Sequence, residues 1–404
     1  MKAHPQAILL GIDTPIGVAV LRELGQHGVP VHGIGRSADA IGRASRYCTG
    51  FSVRPVGGLA DWLPGLITQT GARALLAISE GDLVALAQLP PVINGCTIIT
   101  PRAEPLAIVL DKSETLARAA ALGIDIPISW QPVNSEDMAL RARTLTYPVI
   151  AKWADPPAMT DRLAALGLPL IKAEYLHGAD ELIALVDRYT PLGTWPLIQS
   201  YCPGFGLGQM IHMAGGKAVL RFQHRRLHEM PPEGGVSTLC ESEPLSRHTA
   251  QMAKSEALLA SIGWEGPAMV EYRHDPDTGR NWLMEINGRF WGSMPLASHS
   301  GAEFAWESYR RAILGQSDAV QPDIKPRRAR YMIPETKRLI QLLFKRQAIA
   351  DPLFKPTPLA DLGHYVSGFF DPKMRYYLFR RNDPGPFLSD IKTVLMKAVR
   401  REKR

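Results

Sequence analysis

Glu285-Ile286-Asn287-Gly288-Arg289 places an acid, an amide and a guanidinium at alternate positions of an otherwise apolar run. Side chains alternate faces along a strand, so Glu285, Asn287 and, if the strand keeps its period, Arg289 project together, while Met284 and Ile286 face the other way. Gly288 permits close backbone approach. Just upstream, Ala268-Met269-Val270-Glu271-Tyr272 is a second strand-like run, and His274-Asp275-Pro276-Asp277-Thr278-Gly279 reads as the hairpin connection that brings Glu271 beside Glu285. Two carboxylates and an amide oxygen suit magnesium, a hard cation that takes few protein ligands and fills its shell from substrate phosphates; manganese is also admissible. The competing reading makes these exposed strand residues that pair with Arg273 or Arg280. It accounts for Glu271 taken singly, and less well for three polar groups on one strand face.

The chain around this segment has 404 residues, 46% hydrophobic and 21% charged, enough for two to four packed units. No stretch approaches the ~18 uninterrupted apolar residues of a membrane helix, and Asp13 interrupts the apolar start, so the expected location is cytoplasmic. Cys48, Cys96, Cys202 and Cys240 form no CxxC pair, which argues against a disulfide framework or a zinc site. The net charge of +7 is uneven. From Gln316 onward there are 19 Lys and Arg against 9 Asp and Glu, a surplus of 10, while the rest carries 27 against 30. No nucleic-acid reader motif accompanies this basicity, so no nucleic-acid partner is expected.

The first hundred residues alternate short apolar runs with helical patterns, the mark of a parallel sheet. A strand is expected at Ala7 to Leu10, a helix from Pro15 through Leu24, a second strand at Val29 to Gly35 and a third at Leu75 to Ser79, with Glu80 and Asp82 at its carboxyl end, where such sheets bind ligands. The glycines Gly11 and Gly17 do not match the GxGxxG fingerprint, and Arg36 rather than an acid follows the second strand; the turn is read as structural. The expected fold class is α/β, with a Rossmann-like unit at 1–105, two β-α-β-like blocks at 106–195 and 196–315, and a basic, largely helical extension at 316–404. Helical periodicity in that extension shows at Leu339, Leu342 and Leu343, and again at Ile391, Val394, Leu395, Ala398 and Val399.

Read in order, four segments resemble the ATP-grasp superfamily, in particular its carboxylate-amine ligases and the carbamoyl-phosphate synthetase and biotin carboxylase type. The resemblance covers about Leu106 to Ala312. Asp111-Lys112-Ser113 opens a helix ending at Leu122-Gly123-Ile124. Tyr147-Pro148-Val149-Ile150-Ala151-Lys152 is similar to the strand whose terminal lysine meets nucleotide phosphates. Leu197-Ile198-Gln199-Ser200-Tyr201-Cys202-Pro203-Gly204 resembles the hinge whose backbone binds adenine, with Gln199 where relatives commonly have an acid. The metal segment closes the series.

The resemblance implies a Rossmann-like domain followed by a two-subdomain ATP-grasp fold, with ATP and magnesium as cofactors. Lys112, Lys152, Gln199, Tyr201 and Cys202 would hold the nucleotide, Glu271, Glu285 and Asn287 the metal, and Arg289 the charged intermediate. Arg221 to Glu229, followed by Gly234-Gly235-Val236-Ser237-Thr238, resembles the strand and loop that face the γ-phosphate and acceptor in carboxylate-activating relatives. Alternation separates Arg225 from Arg226, and which of the two faces the cleft stays open.

The glycine-rich loop usual after the second lysine is replaced by Trp153 to Leu170, nearly glycine-free and partly helical in pattern; Arg162 and Lys172 are candidates to replace its phosphate contacts, the favoured reading of Lys172 being a solvated surface lysine. The expected activity is ATP-dependent ligation of a carboxylate to an amine through an acyl phosphate. The partners would be a small-molecule or conjugate carboxylate and an amine, and an oligomer is compatible with the sequence. Alternatives are an ATP-grasp kinase, a biotin-carboxylase-like carboxylase, and a degenerate nucleotide-binding regulator. The last helical stripe is read as packing on the body of the protein, the alternative being peripheral contact with a membrane or polyanion.

Overall fold

The computed structural model describes residues 4–153, 156–171, 173–232, 234–319, 321–349 and 354–402. Lys172 and positions 154–155 of the Trp153 to Leu170 stretch lie outside the described residues.

Strands β1 (Ala7–Leu10), β2 (Val31–Gly35), β3 (Cys48–Val53), β4 (Ala74–Ala77), β5 (Val92–Ile93) and β6 (Cys96–Ile99) form the first sheet in the order β3-β2-β1-β4-β6-β5. All pairings are parallel except β5 with β6. Every residue of β1 and β4 is buried, which is why both read as unbroken apolar runs. The helix Pro15–Gln26 starts at Thr14, whose side chain accepts the Gly17 amide at 3.3 Å. A Cβ on Gly17 would lie 2.4 Å from the Gly11 carbonyl oxygen, so that glycine serves close packing of turn on helix. The chain order reverses between β1 and β4, and ligands of parallel sheets sit outside the strand ends at such a point.

The second sheet comprises β7 (Ser129–Trp130), β8 (Val149–Lys152), β9 (Glu174–Leu176) and β10 (Leu197–Ser200), ordered β7-β10-β8-β9 and antiparallel throughout. Because β10 pairs with β8 over four residues, the division expected at 195/196 falls inside this unit, and the next sheet starts at Phe205. Its core, including Val149, Ala151, Leu163, Leu182 and Ile198, is separate from the rest of the molecule. Following Lys152, the helix Pro156–Ala165 buries Leu163 in that core. Arg162 on this helix points to the Leu192 carbonyl at 3.5 Å and is not among the residues lining the cleft, so the sequence expectation for it is corrected: the helix's register aims it at its own unit.

The third sheet holds β11 (Phe205–Ala214), β12 (Lys217–Met230), β13 (Val236–Ser242), β14 (Gly266–His274), β15 (Asn281–Asn287), β16 (Arg328–Arg330) and β17 (Met374–Tyr376), ordered β15-β14-β11-β12-β13-β16-β17. The basic extension is thus not only helical: β16 adds to β13 and β17 to β16. The first and third sheets share cores, with Ile8 and Leu10 in one cluster with Leu207, Ile211 and Val270, and Leu24 in another with Trp291 and Phe304.

Asp383 locks the extension to the first sheet's helix. Buried, it accepts from Arg22 Nε at 2.8 Å, Ser45 Oγ at 2.8 Å and the Arg46 amide at 2.9 Å. The last helix, Gly385–Glu402, packs its start against Ala44, while Leu388 and Leu395 are 60% and 61% exposed. The helix start is packed but the stripe expected to pack is not: Ile391 is half-buried, Val394 and Leu395 are exposed, and the side chains of Ala398 and Val399 lie outside the described residues. Among the described residues no helix is long and apolar enough to cross a membrane.

Candidate active site

Glu271 and Glu285 are register partners across β14 and β15, and Asn287 lies opposite Met269. The register then passes from Glu271↔Glu285 to Tyr272↔Leu283, leaving Met284 unpaired in a bulge. That extra residue brings Met284 into the cleft wall, correcting the expectation that it faces away. Asn287 Nδ2 donates to Glu285 Oε1 at 3.1 Å, which leaves the amide oxygen available to a cation. Lys112 opens the helix Lys112–Ala121 after the cap Asp111, which accepts the Ser113 and Glu114 amides at 2.9 and 3.1 Å. Its Nζ lies 3.5 Å from Glu285 Oε2.

Tertiary packing settles which face of β12 meets the cleft. Arg226 donates to Glu271 Oε2 at 2.5 Å and Glu229 Oε1 at 2.9 Å. Its stem crosses Gly206, where a Cβ would meet Arg226 Cδ at 2.8 Å; His224 covers Gly208 in the same way, with Nε2 at 2.6 Å from such a Cβ. Two glycines of β11 thus form the floor over which these side chains lean. Arg225 does not join them. It ion-pairs with Glu241 and Glu243 on the other face and stacks on the Phe205 ring at 5.7 Å.

His224 Nδ1 lies 2.8 Å from Ser293 Oγ, and burial lowers the ring's pKa to about 3, so it is neutral. Burial also pushes the Glu271 carboxyl above its ordinary range, opposed by Arg226 and reinforced by Glu285 and Glu229. A buried carboxylate facing a second one, with an amide oxygen beside them, is a donor set that a hard divalent cation satisfies.

On the second sheet, Lys152 Nζ donates to Gln199 Oε1 at 2.8 Å, and Gln199 Nε2 donates to Ser129 Oγ at 2.8 Å. Burial, then repulsion from Lys112, holds Lys152 below the usual lysine range. Tyr201 and Cys202 follow as the connection to β11, and burial pushes the Cys202 thiol up to about 11, leaving it inert as a nucleophile. Gly204 closes this connection at φ +94°, and a Cβ there would fall 1.9 Å from the His274 carbonyl oxygen.

Lys112, Lys152, Tyr201, Arg226, Glu271 and Glu285 line one open cleft of about 280 Å³, which also includes Gln199, Cys202 and the Gly234-Gly235 turn. Past the acids a second pocket of about 570 Å³ runs from Glu271, Glu285 and Asn287 to Thr14, Ser79 and Glu80 at the strand ends of the first sheet. Arg289 lies beyond the end of β15 yet still lines this pocket; its Nε sits 3.0 Å from Glu80 Oε1. Asp82, by contrast, ion-pairs with Arg54. Alternation put His224 on the face of Arg226, but sequence reasoning did not single out Glu229 and missed Ser293 as neighbours of the site. Two register shifts in β12 between Arg226 and Glu229 break the period of two that would have placed Glu229.

No protein-family model matches the sequence, and no curated protein matches it. Solved structures do match in fold. N5-carboxyaminoimidazole synthetase from Staphylococcus aureus aligns over 88% of this chain and 92% of its own, with TM-score 0.60 and 14% identity. The biotin carboxylase domain of the Hydrogenobacter thermophilus 2-oxoglutarate carboxylase, in complex with MgADP, ADP and bicarbonate, aligns over 81% and 73%, with TM-score 0.58 and 15% identity. L-amino acid ligase from Bacillus licheniformis aligns over 78% and 75%, with TM-score 0.53 and 14% identity. The chain therefore has the ATP-grasp fold that these enzymes share.

Proposed function

We propose that the protein is an ATP- and magnesium-dependent cytoplasmic ligase that activates a carboxylate as an acyl phosphate for attack by an amine or similar nucleophile, releasing ADP and phosphate. The observation that carries this reading is the convergence of Lys112, Lys152 and Arg226 with Glu271 and Glu285 in one cleft, with a second pocket beyond the acids that Asn287 also lines. A nucleotide on one side and an acceptor on the other would meet at that boundary.

Glu271, Glu285 and Asn287 would hold magnesium, which offsets phosphate charge and polarises the transferring phosphoryl group. The cleft's own charges are already matched, Lys112 with Glu285 and Arg226 with Glu271 and Glu229. Phosphates entering the cleft would take over the cations, so Lys112, Lys152 and Arg226 would bring two anions together without a large net cost. The hinge at Gln199 to Cys202 would orient adenine through its backbone, with Met284 as an apolar wall.

A carboxylate oxygen in the second pocket attacks the γ-phosphorus and ADP departs. The nucleophile then attacks the carbonyl carbon and phosphate leaves. Arg289, now on Glu80, would steady the oxyanion formed in that second step. No side-chain nucleophile is required.

The test is ADP release from MgATP across a panel of carboxylates and amines, with Glu285→Ala as control. Turnover undiminished by that change sinks the site assignment. Trapping by hydroxylamine separates a ligase from a kinase acting on an alcohol. A degenerate regulator draws support from the helix Pro156–Ala165 in place of a glycine loop, and would bind MgATP without turnover on any panel member.

A further inference from the structure

Part of the positive charge of the C-terminal extension gathers at one place in the fold. Arg375, Arg380 and Arg381 line an open pocket of about 590 Å³, bounded also by His299 and by Gln26 at the end of the first helix. This pocket shares no lining residue with the two pockets of the candidate active site.

Its arginines are short of counter-charge. Arg380 donates to Ser298 Oγ at 3.1 Å, its enclosed Nε has no acceptor, and it makes no ion pair among the described residues. Two acids neighbour it: Asp383 is spent on Arg22, Ser45 and the Arg46 amide, and Glu23 is buried with its carboxyl pushed by desolvation well above its usual range, so neither forms an ion pair with Arg380 among the described residues. Burial, then repulsion from Arg22, brings Arg380 down to about 10, against weaker attraction from Glu23, Tyr47 and Asp383. Arg375 reaches only the backbone carbonyls of Pro372 and Met374, at 2.9 and 2.7 Å. Arg381 is exposed. The acid lining the pocket, Asp371, lies 3.5 Å from Arg328 and is shared with it. His299 adds no charge, since burial lowers its pKa to about 3.

Aromatic faces accompany the guanidinium groups. Phe369, Tyr376 and Phe379 form a chain of rings with centroids 6.4 and 6.2 Å apart, and Phe369 and Phe379 remain 49% and 37% exposed at the pocket. Guanidinium forks suit the oxygens of a phosphate, and exposed rings suit a planar group beside it. We propose that this pocket is a second ligand site, taking a small phosphate-bearing molecule with an aromatic ring, its phosphate on Arg375, Arg380 and Arg381 and its ring on Phe369, Tyr376 and Phe379.

Isothermal titration of the full chain, with the cleft blocked by magnesium and a non-hydrolysable ATP analogue, tests the site. The probes are phenyl phosphate and inorganic phosphate. Phenyl phosphate should bind once per chain and tighter than inorganic phosphate by about three- to tenfold, the worth of one ring contact. Arg380→Gln should abolish binding. Arg381→Gln, at an exposed position, and Phe379→Ala should each weaken it several-fold, with an unchanged far-UV spectrum and cooperative unfolding showing that each variant is folded. No saturable binding, equal affinity for the two probes, or affinity unchanged in Arg381→Gln and Phe379→Ala would overturn the proposal. So would binding to phosphatidic acid vesicles without binding to phenyl phosphate. None of these results bears on the ligase reading, whose residues lie elsewhere.

Discussion

Replacing Arg226 with methionine tests whether the cleft's charges are balanced as a set. Methionine preserves the apolar stem that crosses Gly206 and removes only the guanidinium. Glu271 and Glu229, each with a side chain 13% exposed, then lose the cation they share; Glu229 keeps Arg273 at 3.8 Å, while Glu271 faces Glu285 with none. One pair of unit charges at about 4 Å is worth about 4 kcal/mol at an effective dielectric of about 20. Breaking a buried pair costs about 3–5 kcal/mol. The cleft is open on one side, so the lower end, about 3 kcal/mol, is the expected loss. Urea unfolding without nucleotide measures it as a lower midpoint at unchanged slope. Magnesium chloride should raise the midpoint more in Arg226→Met than in the parent protein, because the divalent ion replaces the lost charge at Glu271. A loss below about 1 kcal/mol, or an identical magnesium effect in both proteins, refutes the balanced-charge argument.

Asp383→Ala should destabilise by about 3–5 kcal/mol, because it leaves Arg22 buried and unpaired. The double change Arg22→Met, Asp383→Leu should lose less than Asp383→Ala alone, and equal losses in urea would show that the ion pair is not the cause. Gly208→Ala should cost about 1–3 kcal/mol by overpacking against His224, and it should weaken MgATP binding in calorimetry. Gly65→Ala, in a helix with nothing within 4 Å of the new Cβ, should be neutral or stabilising; identical effects at the two positions would sink the packing argument. Burial, reinforced by Glu303, holds the Glu23 carboxyl well above its usual range, so the folded state binds this proton more tightly than the unfolded chain. That contribution is complete below the unfolded pKa of about 4.3 and fades as pH rises toward the folded value. Glu23→Gln should therefore gain on the parent in thermal midpoint from pH 5 to 8, and a difference independent of pH would contradict the assignment.

The elements that position the site were readable because each leaves a local signal. Ala7 to Leu10 is apolar throughout because both its faces are covered, and Asp111 announces the helix that presents Lys112 by capping two amides. The pairing of Glu271 with Glu285 follows from a short hairpin between two strands, which fixes register locally. These features depend on periodicity and turn chemistry, which operate over a few residues.

Other features required contacts between segments far apart in sequence. Period two could separate Arg225 from Arg226 but not choose between them; the choice came from the glycines of β11, which open space on one face for Arg226 and His224, while Glu241, Glu243 and Phe205 occupy Arg225 on the other. The bulge at Met284 and the shifts before Glu229 break the alternation on which strand reading depends. The basic extension looked like a helical appendage because β16 and β17 have three residues each, too short to show a period. Its arginines could be counted in the sequence. Their division between the buried pair at Asp383 and the under-neutralised pocket around Arg380 was decided only when the fold set them beside their partners, because a charge's counter-ion is a matter of distance in space.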